Sequence, residues 1–211
     1  MGLIEILFSD PVKFFIIAGL LLYSIIFHEM AHGWVAYLFG DDTAKRAGRL
    51  SLNPVSHVDP MGAIMLLLVG FGWARPVPVD YHNLKRSRLA LICVSLAGCL
   101  TNILIAAIAI FILQFLHVGV ELTKNAEILI VVMKINLVLG AFNLIPIPPL
   151  DGSKILMGFL PVEAQLSFAR LEPYGFFILI ILLITRVLDP VIVFIESKIV
   201  YLIAALFGWF K

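Results

Sequence analysis

The chain has 211 residues, of which 62% are hydrophobic and only 14% charged, with a mean hydropathy of +1.07 and a formal net charge of +1. An ordinary soluble domain, with roughly a quarter of its residues charged, is excluded by this balance, and a nucleic-acid surface is excluded by the near-neutral charge. The composition implies an integral membrane protein in the lipid bilayer. Its expected fold class is all-α: a polytopic helix bundle of about five to six membrane segments, with a small extended/β region after the first long helix. No Ser/Gly linker, charge block or internal repeat divides the chain, so one domain is expected over residues 1–211. Its core should cover about residues 12–160, with a C-terminal helical hairpin over about 173–210.

The first predicted span, Val12–Phe39, contains Phe27-His28-Glu29-Met30-Ala31-His32-Gly33. On a helix, His28 and His32 lie four residues apart on one face, where a single Zn²⁺ can take both imidazoles. Glu29 is placed to act as general base on a zinc-activated water. Three titratable groups in so apolar a run are expensive to carry, which marks them as functional. A cleaved signal peptide over residues 1–27 fits poorly, because Glu5 and Asp10 precede the apolar run and cleavage would strip the motif of its helix.

Lys45, Arg46 and Arg49 follow this span, and Arg75, Lys85, Arg86 and Arg88 precede the next full one, which assigns both segments to the cytoplasm. Between them, Met61–Trp73 is apolar over about 13 residues, short of the ~20 that a spanning helix needs. With Gly70-Phe71-Gly72 near its end, it reads as a partial crossing. His57 and Asp59, two apart, suit opposite sides of an extended strand and read as loop-shaping or substrate-facing rather than as a metal pair. Pro76-Val77-Pro78-Val79 is extended, since the residue before each proline avoids the helical region.

Leu89–Leu116 is a full span carrying Cys93, Cys99 and Asn102. The cysteines, six apart, face different sides of a helix and cannot bridge each other. Asn102 reads as interhelical glue or as a catalytic partner. Glu127–Ile145 is the next span, with Lys134 snorkelling to the headgroups. His82 and His117 read as interfacial. After Asn143, which could orient the turn or touch substrate, Pro146, Pro148 and Pro149 must open the helix. Asp151 follows, beside Gly152, with two readings: a third zinc ligand, or a cap for a short helix starting at Ser153-Lys154. Phe176–Leu188 and Val191–Phe210 form a final hairpin broken at Asp189-Pro190; it carries no motif and reads as packing.

Five blocks in order make the chain resemble the site-2-protease family of intramembrane zinc metalloproteases, in its minimal form without PDZ or CBS domains. They are His28-Glu29-Met30-Ala31-His32, the segments 53–62 and 70–79, Ser95-Leu96-Ala97-Gly98-Cys99-Leu100-Thr101-Asn102, and the proline-rich run ending in Leu150-Asp151-Gly152. The resemblance covers roughly residues 20–160. It implies one Zn²⁺ per chain on His28, His32 and Asp151, with Glu29 as catalytic base. It also implies a role for Asn102 in positioning substrate or stabilising an oxyanion. Cys99 departs from the family's usual proline, at a position expected to touch no ligand. The expected activity is hydrolysis of transmembrane or membrane-anchored protein substrates, in the cell membrane and nearer the cytoplasmic side. A non-hydrolytic zinc-binding protein would not need Glu29, and a transporter would need more polar residues along its helices.

Overall fold

The computed structural model describes residues 3–69, 72–80, 84, 87–116 and 124–208. Among them every regular element is helical. A short α1 (Leu3–Ser9) meets α2 (Pro11–Leu38) at Asp10, whose carboxylate accepts from the Lys13 N–H at 3.0 Å. That cap, with Pro11 in the first turn where no N–H is required, explains why the long helix starts here. At 28 residues, α2 is about 42 Å long.

The chain continues through α3 (Thr43–Arg46), a 3₁₀ turn at Pro54–Ser56 and α4 (Pro60–Val69). It then forms α5 (Arg88–Leu116), α6 (Lys124–Asn143), α7 (Asp151–Phe159), α8 (Val162–Ala169), α9 (Glu172–Ile184) and α10 (Asp189–Leu206). Three helices, α2, α5 and α6, are long and apolar enough to cross a membrane, or four spans if the bent pair α8–α9 counts as one. Outward-facing Leu100, Leu104 and Ile108 on α5 are exposed, as expected of a helix that is apolar all round and meets lipid. The protein is a multi-pass, all-α membrane protein.

The remaining apolar runs fall short of that measure for physical reasons. α4 has ten residues, about 15 Å, or half the hydrocarbon thickness. α10 carries Asp189, Glu196 and Lys198 along its length. The hairpin breaks slightly earlier than its proline suggests: the reversal uses Arg186 at φ 57°, and Pro190 sits inside the first turn of α10. In the expected extended/β region the described residues contain no strand. One isolated antiparallel bridge joins Val58 to Ala74, beside an Arg75 N–H donating to His57 O at 2.8 Å. Pro76 and Pro78 have no N–H with which to extend a ladder.

α5 is the central helix, packed against α2, α6 and α7, while α10 covers α6. One apolar cluster joins Ala106 of α5 and Leu137 and Ala141 of α6 to Ile199 and Ile203 of α10. Another gathers Ile145 and Leu150 of the proline-rich turn with Leu179 and Leu188. The terminal hairpin therefore packs onto the turn that carries Asp151.

Candidate metal centre

The i, i+4 spacing on α2 stacks His28 and His32 on one buried face, with ring centroids 4.7 Å apart. Each ring is held by its Nδ1. His28 Nδ1 lies 2.7 Å from Asn102 Oδ1, and His32 Nδ1 lies 2.6 Å from Val94 O. Both partners are acceptors only, so each Nδ1 carries the proton and each Nε2 presents a lone pair. These two atoms lie 3.1 Å apart.

Asp151 completes the set from across the bundle. Pro146, Pro148 and Pro149 end the α6 path, and the chain turns through residues 144–150 into α7, which begins at Asp151 itself. The Asp151 carboxylate is not at the N-cap position, which Leu150 holds. Its Oδ2 instead lies 3.1 Å from His28 Nε2 and 3.0 Å from His32 Nε2.

Neutral imidazoles protonated at Nδ1 have no hydrogen to place among three electron-rich atoms at 3.0–3.1 Å. A cation resolves the conflict: bonds of about 2.0–2.1 Å in a tetrahedral site separate the donors by about 3.3–3.4 Å. His28, His32 and Asp151 thus form a buried group able to hold a metal ion. Gly98 leaves the room. A Cβ there would fall 2.5 Å from His28 Cε1 and from His32 Nε2.

Glu29 faces a different neighbour. Its Oε2 accepts the Val77 N–H at 2.8 Å, which ties the Pro-Val-Pro-Val segment to α2. Asn102 is fully buried and fully engaged. Its Oδ1 meets His28, while its Nδ2 donates to Ser24 O at 3.3 Å and to Asn136 Oδ1 at 2.8 Å. Cys99 corrects an expectation: its Sγ lies 3.9 Å from Asp151 Oδ2, so the position does touch a prospective ligand.

The other residues singled out in the sequence serve local structure. His57 is buried with Nε2 2.8 Å from Ser51 O, and Asp59 accepts from the Gly62 N–H at the start of α4 at 2.8 Å. Asn143 Nδ2 donates back to Leu139 O at 3.0 Å. His82 and His117 lie outside the described residues. The sequence does not single out Ser24, Asn136 or the backbone N–H of Val77. Ser24 stands four residues before His28 on the same face, and Asn136 is an amide in the interior of an apolar helix, so both left a faint signal; a backbone N–H leaves none.

A sequence profile for peptidase family M50 matches residues 120–185. The chain is 44% identical over 171 residues, 78% of each chain, to the Bacillus subtilis protein named "Putative zinc metalloprotease YwhC". It is 29% identical over 188 residues, 82% of this chain and 68% of the other, to "Putative zinc metalloprotease Rip2" of Mycolicibacterium smegmatis. No solved structure matches the chain.

Proposed function

Because the chain belongs to peptidase family M50 and is a zinc metalloprotease, we propose that it cleaves peptide bonds in or near transmembrane segments of membrane proteins. The single observation that carries this reading is the convergence of His28 Nε2, His32 Nε2 and Asp151 Oδ2 beside a helix long enough to span a bilayer. His28 lies about 15 Å from the C-terminal end of α2, so the site sits below the membrane surface. Lys45, Arg46 and Arg49 beyond that end favour the cytoplasmic side of the cell membrane for the opening.

His28, His32 and Asp151 would hold the zinc. When bound, the metal supplies Lewis acidity that polarises the scissile carbonyl and acidifies water at the site. Glu29, next to the first ligand, takes the proton of the attacking water and returns it to the leaving nitrogen. The Val77 N–H fixes one carboxylate oxygen, which leaves the other to work. Asn102 acts as a positioning residue for His28, since its carbonyl and both its amide hydrogens are already committed.

A transmembrane substrate must unwind before its carbonyl can be attacked. The segment 72–80 offers an extended backbone beside Glu29 on which an unwound strand could lie. Pro76 and Pro78 offer no N–H, so pairing at those positions uses substrate N–H groups and protein carbonyls. The hairpin's packing on the Asp151 turn supports one domain over residues 1–211.

The test is reconstitution of the purified chain with a panel of single-span substrates, with and without chelator. Chelation abolishes cleavage, and Glu29→Gln lowers the rate by about 10²–10⁴ with zinc content unchanged. A Glu29→Gln variant that cleaves at the parental rate overturns the assignment of the base. Cleavage of soluble peptides alone overturns the assignment of substrate.

A further inference from the structure

We propose that Asn136 on α6 is a positioning residue for the metal centre, acting through Asn102 to fix the tautomer and aim of His28. The inference rests on the reading of His28 as a zinc ligand. Asn136 is fully buried, in a helix long enough to span the membrane. Its Nδ2 donates to Val132 O at 2.9 Å and to Ser24 Oγ at 2.9 Å, and its Oδ1 accepts from Asn102 Nδ2 at 2.8 Å.

The direction of this chain of bonds is fixed at both ends. Val132 O is a carbonyl and can only accept, so it takes the Nδ2 side of Asn136 and leaves Oδ1 turned toward Asn102. Asn102 must answer with its own Nδ2, a choice that Ser24 O, another carbonyl, reinforces at 3.3 Å. Asn102 Oδ1 is then the atom left for His28, so His28 Nδ1 bears the proton and Nε2 is bare. Two backbone carbonyls, on α2 and α6, thereby set the protonation of a ring on α2.

Removing Asn136 takes away the nearer of the two acceptors that orient Asn102 and leaves only Ser24 O at 3.3 Å. The Asn102 amide can then flip and offer its NH₂ to His28 Nδ1. That favours the opposite tautomer, with a proton on Nε2 where the cation must bind. In the membrane interior no bulk water stands ready to repair the loss. A residue serving only as interhelical glue would behave differently, lowering stability without reaching the metal.

The experiment uses the full chain in lipid nanodiscs, with Zn²⁺ affinity read by competition against a chromogenic chelator and folding read by circular dichroism. The set comprises Asn136→Leu, Asn102→Leu, the double variant and His28→Ala. Asn136→Leu should weaken Zn²⁺ binding by about 10- to 100-fold, and the double variant should bind no more weakly than Asn102→Leu alone. Asn136→Leu binding Zn²⁺ like the parent, or losses that multiply in the double variant, overturns the proposal. Asn136→Ala removes the same acceptor without added bulk and enters the same cycle if the leucine variant does not fold. His28→Ala should abolish tight binding. If it binds like the parent, the ligand reading fails rather than the role of Asn136.

Discussion

Gly98 is where the whole site depends on the absence of a side chain. It faces His28 and His32 so closely that a Cβ would fall 2.5–2.6 Å from three ring atoms of the two histidines. Neither ring can withdraw without breaking its Nδ1 bond to Asn102 or to Val94 O. Gly98→Ala should therefore cost most of the bound zinc while the helical content stays the same, as metal analysis beside circular dichroism would show. Retention of one zinc per chain would mean that the rings have room the structure does not give them. Cys99, next in sequence, is the counter-case. At 3.9 Å its thiol is a weak neighbour of Asp151, so Cys99→Ala should leave zinc content unchanged. The ligand spacing of His28 and His32 was legible in the sequence because a helix converts a separation of four into one face. What Gly98 does was not, since it depends on a helix packing against a face some 70 residues away in the chain.

At the scale of elements, the site depends on how α7 leaves the proline-rich turn. Asp151 occupies the first position of α7, and Gly152 lies so close to the Leu144 and Ile145 carbonyls that a Cβ would collide with both. Gly152→Ala should thus push α7 away from the turn and lower zinc affinity. Gly19→Ala on α2, where a Cβ meets nothing within 4 Å, should leave both zinc affinity and Tm near the parental values. Equal behaviour of the two variants would show that the approach of α7 to the proline-rich turn does not set the position of Asp151. The prolines at 146, 148 and 149 announced in the sequence that the backbone must open, and α2, α5 and α6 were legible as long apolar runs. The choice between ligand and cap for Asp151 was not, because both roles want a carboxylate at the start of a helix; only the path of α7 past α5 separates them.

Across the whole molecule, the C-terminal hairpin connects distant parts of the chain. Leu179 on α9 is buried with Ile145, Leu150 and Leu188, and Gly175 approaches Pro148 so closely that a Cβ would lie 2.5 Å from its carbonyl oxygen. The hairpin read as mere packing in the sequence, and packing it is, but against the turn that presents Asp151. Leu179→Ala should cost about 2–5 kcal/mol of stability, seen as a lower Tm, and zinc should be lost more readily on heating. An unchanged Tm would place the hairpin outside the cooperative unit. The centre itself is best examined by X-ray absorption at the zinc edge on the purified full chain, alongside Asp151→Ala and His28→Ala. The structure predicts one zinc per chain with nitrogen and oxygen neighbours at about 2.0–2.1 Å, and loss of tight binding in both variants. A sulfur neighbour at about 2.3 Å, or one zinc retained after either substitution, would contradict a centre built from His28, His32 and Asp151.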